Sequence, residues 1–155
     1  MKKEEYRKLY RRELEKLKIE FELYRNENNI WKIDNEIANS AGNLGLHIVG
    51  NLNHFIGFAL HKTDYTRNRE NEFLLKNIPV KKLVSEIDLT IETIDNYLQS
   101  IDEDELKSEY PIIKFEEKAS IEYLLSHLLI HLSYHLGQIN YHRRIFDKDE
   151  RSSNY

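Results

Sequence analysis

Apolar residues recur at three- and four-residue steps through four separate stretches of this chain, and no convincing set of strands competes with them. In the first stretch Tyr6, Leu9, Tyr10, Leu14, Leu17, Phe21 and Tyr24 stand among Lys, Arg and Glu. The second runs from about Ser40 to His61 and opens on Asn39-Ser40, whose side-chain oxygens suit a helix N-cap. The third opens at Asn77-Ile78-Pro79, where proline is tolerated in a first turn, and carries Val80, Leu83, Val84, Ile87, Ile91, Ile94, Leu98 and Ile101. The fourth starts near Ser120 and reaches about Phe146 along Ile121, Leu124, Leu125, Leu128, Leu132, Leu136 and Ile139. Four amphipathic helices of ~20–25 residues predict an all-α four-helix bundle.

The connections differ. Asn26 to Asn39 is polar with one anchor, Trp31; His61 to Asn77 is charged and irregular; Asp102 to Ala119 is acidic and then passes an expected extended piece, Pro111-Ile112-Ile113-Lys114-Phe115. There is no internal repeat or low-complexity tract. At 155 residues one domain is expected over the whole chain. A net charge of −4 argues against a dedicated nucleic-acid binder, and the basic start of the first helix reads as a solvated face. No secretory signal follows Met1-Lys2-Lys3, and no uninterrupted apolar run approaches the ~18 residues of a membrane span, so a cytoplasmic protein without a membrane partner is expected.

Seven histidines and no cysteine set the chemistry: any metal site must draw on imidazoles and carboxylates. His47, His54 and His61 are seven residues apart, nearly two full helical turns, and form one stripe that also holds Gly50 and Gly57. Leu44, Ile48, Leu52 and Ile56 line the opposite side, so both sides of this helix are expected to be buried, with the glycines admitting a close neighbour. His127, His131 and His135 are four apart. At ~100° per residue His131 and His135 fall within the core-facing arc of the fourth helix, with His127 on its border. Core-facing imidazoles need partners, since an unpaired buried polar group costs ~1–3 kcal/mol. Two readings are open on spacing: an incidental His pair satisfied inside the core, or an i,i+4 chelate completed by His47 or His54. Such a carboxylate-free site suits Zn²⁺, Ni²⁺ or Fe²⁺ rather than Mg²⁺ or Ca²⁺.

Three blocks carry a family resemblance. Asn43-Leu44-Gly45-Leu46-His47-Ile48-Val49-Gly50-Asn51-Leu52 resembles the second-helix signature of a branch of the DinB/YfiT-like superfamily labelled only as a domain of unknown function. Tyr65-Thr66-Arg67-Asn68-Arg69-Glu70-Asn71-Glu72-Phe73 resembles its Arg-x-Arg-x-x-Glu-Phe segment, and His131-Leu132-Ser133-Tyr134-His135-Leu136-Gly137-Gln138-Ile139-Asn140-Tyr141 its fourth-helix signature. The blocks occur in the right order and span nearly the whole chain. The resemblance implies a four-helix bundle with a long crossover between helices two and three, often a homodimer. It also implies a three-histidine metal site which, matched residue by residue, is His47, His131 and His135. On the same footing it favours His47 over His54.

Relatives of this kind are metal-dependent transferases that join low-molecular-weight thiols to electrophiles, or related hydrolases. The resemblance therefore implies a small-molecule substrate, a divalent metal (Zn or Ni first) and a thiol co-substrate. With no cysteine, the nucleophilic sulfur cannot be the protein's own. Arg67, Arg69 and Glu72 read either as a carboxylate-binding group or as an ion-paired loop holding the crossover down. Asn51 reads as a ligand donor or a buried polar contact, Gln138 as a support for an imidazole, and Tyr134 as a packing residue. His54, His127 and His142 read as supporting or structural. The rival functions are a non-catalytic metal-binding helical protein, for instance of a stress response, and a small-ligand binding module using Arg67 and Arg69.

Overall fold

The computed structural model describes residues 1–34, 36–112 and 117–148. Among the described residues there are five α-helices: α1 (Lys3–Glu22), α2 (Ala41–Leu52), α3 (Arg69–Leu74), α4 (Val80–Ser100) and α5 (Ile121–Phe146). The four periodic stretches correspond to α1, α2, α4 and α5. The fifth helix, α3, is a correction to the expected four: it sits inside the long crossover from α2 to α4. Its six residues, Arg-Glu-Asn-Glu-Phe-Leu, are too few and too polar for an apolar period to show. Among the described residues β pairing is limited to two isolated bridges, Asp34 with Ile37 and Glu109 with Ser120. The expected extended piece from Pro111 to Phe115 lies partly outside the described residues.

Cap chemistry fixes the long helices. Ser40 accepts from the Asn43 amide at the start of α2, and Ser120 accepts from the Tyr123 amide at the start of α5. Pro79 precedes α4, where its missing N–H costs nothing. The second periodic stretch departs from plain α-helix after Leu52: Asn53–Phe58 forms a π-helical turn. Asn53 braces that turn, its Nδ2 donating to the Val49 carbonyl at 3.0 Å and to Thr90 Oγ1 at 2.8 Å.

α1 packs against α4 and α5, and α2 against α3, α4 and α5. Leu14, Leu17 and Phe21 meet Ile48, Leu52, Ile87, Leu98, Leu124, Leu128 and Leu132 in one core. Burying each such side chain stabilises the fold by roughly 1.5–3 kcal/mol. Tyr6 and Tyr10 enter the core but donate their hydroxyls to the Glu122 and Leu125 carbonyls. At the far end of the bundle, Glu20 and Arg143 pair at 2.7 Å with both side chains fully buried, and Asn140 donates to the same carboxylate. His142 is buried there too, accepting from Tyr24 Oη at Nδ1 and donating from Nε2 to the Lys32 carbonyl. Asp147 then accepts from the Arg25 amide and Asn29 Nδ2, tying the end of α5 to the turn after α1.

Candidate metal centre

The site forms where α2 crosses α5. Gly42 and Gly45 let α2 press onto the rings of Trp31 and Phe21, which would meet any added Cβ at 2.5 Å. His47 comes next, on the face toward α5. Asn43 ties the crossover down from the other side, its Nδ2 donating to the carbonyls of Glu72 (3.0 Å) and Leu75 (2.9 Å). α3 thereby lies over α2, and the Glu72 carboxylate occupies the space that a side chain at Gly50 would need. The close neighbour that the glycine admits is this carboxylate.

Glu72 is the hub beside His47. It accepts from His47 Nδ1 at 2.9 Å and from the Arg67 fork at 2.7 Å (Nε) and 3.0 Å (Nη2). Burial pushes the Glu72 carboxyl up, but the hydrogen bonds from His47 and Arg67 outweigh it and hold the group below the usual range. An ionised carboxylate only accepts, so His47 carries its proton on Nδ1 and turns a bare Nε2 to α5.

On α5, His131 and His135 lie one turn apart and face that nitrogen. His135 donates from Nδ1 to Gln138 Oε1 at 2.7 Å, which leaves its Nε2 bare as well. Burial, and then the neighbouring His47, pull the His135 pKa down; Gln138 opposes them in part. Nε2 of His131 lies 3.4 Å from Nε2 of His47 and 3.1 Å from Nε2 of His135. Lone pairs at such distances repel unless a proton or a cation stands between them. Imidazole nitrogens at ~2.0–2.1 Å from a tetrahedral zinc lie roughly 3.3 Å apart, close to these spacings. The three histidines thus offer donor atoms all within 4.8 Å of one another, a group able to hold a metal ion. The donor set, three neutral imidazoles, fits a borderline divalent transition metal.

The sequence leaves His47 and His54 as competitors, and only one of them can stand level with the pair on α5, since seven residues advance a helix by roughly 10 Å. His54 stacks on Phe58 (centroids 5.7 Å apart, 8° between planes) and stands outside the cluster; His61 sits against Tyr97. His127 stacks beside His131 at 6.5 Å. Of the two readings of Arg67, the ion pair within the crossover is the one seen; its guanidinium also lies 5.8 Å from the Phe55 ring. Arg69 lies over Phe73, whose ring is 5.2 Å from that of His47. Asn51 is buried, and its Oδ1 accepts no hydrogen bond from the described residues. Tyr134, expected to pack, is 63% exposed. Sequence reasoning names Glu72 without seeing its role as the partner of His47, because that contact depends on how the crossover folds back.

Beside His135 lies a cavity of about 470 Å³, walled by Ile37, Leu44, Tyr134, Tyr141 and Ile145 and including Gln138. Its lining includes neither Arg67 nor Arg69.

An all-α bundle with a long crossover and three convergent imidazoles defines a helical protein with a potential metal-binding site. No helix among the described residues is long and apolar enough to cross a membrane. The chain belongs to the family described as "protein of unknown function (DUF1572)", whose profile matches residues 3–153, within the DinB/YfiT-like superfamily. No curated protein and no solved structure matches it.

Proposed function

We propose that this chain is a divalent-metal-dependent enzyme that transfers a low-molecular-weight thiol to an electrophilic small molecule. The observation that carries the reading is the meeting of the three Nε2 atoms of His47, His131 and His135, two of them with Nδ1 already engaged by Glu72 and Gln138. Zn²⁺ or Ni²⁺ suits this set. A divalent ion held by His47, His131 and His135 would supply Lewis acidity, the chemistry that makes water and thiols more acidic.

The chain's own residues do the rest. Glu72 fixes the tautomer and orientation of His47 and makes its Nε2 a stronger base, and Arg67 holds Glu72 in place. Gln138 does the same for His135. The cavity beside His135 has room for a small molecule next to one of the three imidazoles. In the transfer a carbon–sulfur bond forms as the bond to the leaving group breaks, and the thiol's proton leaves with that group. Because the protein has no cysteine, the sulfur belongs to the co-substrate.

Metal analysis of protein purified without a histidine tag, beside His131→Ala and His135→Ala, tests the site. The wild type is expected to hold close to one ion per chain and both variants far less; equal content in all three refutes it. Consumption of small thiols against a panel of electrophiles then tests the chemistry. A second reading comes from the cluster bridging α2 and α5: a bound ion would staple the two helices without catalysis. A chelator that lowers the melting temperature while no thiol transfer is found in any condition favours that reading.

A further inference from the structure

The 470 Å³ cavity beside His135 falls within the ~300–1,000 Å³ of small-molecule sites, and its walls are chemically one-sided. Tyr134 and Tyr141 stand two turns apart on α5, and Ile37, Leu44 and Ile145 complete the apolar part. Tyr134 is 63% exposed, Tyr141 69% and Ile145 52%, so the fold leaves these rings and this branched side chain uncovered. The Tyr134 ring lies edge-on to that of His135, with centroids 5.3 Å apart and 67° between planes. α5 carries no Lys, Arg, Asp or Glu from Tyr123 to His142, in a chain that is 32% charged.

Most polar atoms of the wall are already engaged inside the protein. His135 Nδ1 donates to Gln138 Oε1, and Gln138 Nε2 in turn donates to Tyr134 Oη at 3.4 Å. Both ring nitrogens of His142 are taken, one by Tyr24 and one by the Lys32 carbonyl. Among the described residues the lining holds no Lys or Arg, and its one carboxylate, Glu36, is exposed. Walls of this kind offer flat apolar contact and little to replace the hydration of a charge, which is costly to strip unpaired.

We propose that this cavity binds an uncharged small molecule with a flat aromatic or conjugated body, and that this molecule is the electrophile of the transfer. Its ring lies against Tyr134 and Tyr141, with Leu44 and Ile37 behind it. The cluster one step away argues for the same choice. Three neutral imidazoles leave a divalent ion its full charge, which repels a cationic substrate and draws an anionic one onto the ion in place of the thiol. The two substrates are thus sorted by charge: the thiol goes to the ion and the uncharged partner to the apolar walls. The role of electrophile rests on the transfer proposed above, whereas the preference of the walls does not.

Probes of one shape and different charge test it: nitrobenzene, 4-nitrobenzoate and 4-nitrobenzylammonium, each titrated by NMR into metal-free protein. Nitrobenzene is expected to bind at least about tenfold more tightly than either charged probe. Tyr141→Ala is expected to weaken nitrobenzene severalfold, and Ile145→Arg to reverse the order in favour of 4-nitrobenzoate. Both positions are exposed, so an unchanged helical circular-dichroism spectrum is expected of both variants. No binding of nitrobenzene, equal binding of 4-nitrobenzoate, or indifference to Tyr141→Ala overturns the assignment. Tighter binding of the ammonium probe also overturns it and gives the cavity to cations held on the tyrosine rings. Neither metal nor thiol enters this titration. Nitrobenzene binding in a protein that holds no metal and consumes no thiol refutes the transfer and not the cavity; the converse result refutes the cavity alone.

Discussion

Replacing Glu72 with glutamine changes one atom and removes one charge, yet three donors point at this carboxylate. His47 Nδ1 and the two Arg67 nitrogens all approach within 3.0 Å, and the Glu72 side chain is only 6% exposed. A glutamine keeps one accepting oxygen; its NH₂ must then face at least one N–H, so one contact turns from attraction to repulsion. Two effects result and can be measured apart. Loss of the residue that orients a metal-binding imidazole typically weakens binding ~10–100-fold, which is about 1.4–2.7 kcal/mol. Breaking one side of a buried ion pair costs up to ~3–5 kcal/mol, and the acceptor that glutamine retains brings the expected loss below that range.

Zinc affinity would be read by competition with a chromophoric chelator at pH 7.5, and stability by urea denaturation in excess EDTA. The expected result is at least a tenfold weaker zinc complex for Glu72→Gln, beside no measurable complex for His131→Ala. If Glu72→Gln binds zinc within twofold of wild type while His131→Ala fails to bind, the carboxylate does not act through His47 and the reasoning is refuted. A loss of urea stability with unchanged zinc affinity would reduce Glu72 to a clamp for Arg67.

Two further outcomes concern the distal end of α5. Arg143→Met leaves the fully buried Glu20 carboxylate without its guanidinium and is expected to cost ~3–5 kcal/mol in urea denaturation, whereas Glu20→Leu/Arg143→Met recovers most of that loss; equal losses in the single and double variants contradict this. Burial holds the His142 pKa below its ordinary 6.5, so the unfolded chain takes up a proton there before the folded one does. Its contribution to stability is complete above pH 6.5 and declines as pH falls from there toward the folded pKa, by at most about 1.4 kcal/mol per pH unit. His142→Gln, which can still accept from Tyr24 and donate to Lys32, is expected to flatten the fall in urea midpoint between pH 7.5 and 5.5, and an unchanged slope counts against it.

Much of the fold is legible from local chemistry. The serine caps of α2 and α5, the proline before α4 and the 3–4 spacing of Leu124, Leu128, Leu132 and Leu136 each depend on residues within a few positions of one another. The pairing of His131 with His135 is legible for the same reason. His47 against His54 is not, because both lie on one stripe and which of them stands level with His131 and His135 depends on how α2 is placed along α5. α3 is hidden because six mostly polar residues have no period to read. The outer face of α5 misleads in the other direction: Tyr134 looks like a packing residue, yet it stays 63% exposed with its ring 5.3 Å from that of His135.

Gly50 shows where legibility stops. A glycine on the stripe of His47 tells that something comes close; only the folded crossover tells that it is Glu72. Once that is seen, the two positions form one unit. Asn43 pins α3 through the carbonyls of Glu72 and Leu75, the missing side chain at Gly50 gives the carboxylate its seat, and Arg67 closes over it. All three converge on the carboxylate that accepts from His47 Nδ1. Bulk at position 50 and loss of charge at position 72 are therefore two routes to one result, a His47 imidazole free to turn away from His131 and His135. The crossover, through Glu72 and Arg67, thus orients the third corner of the histidine cluster.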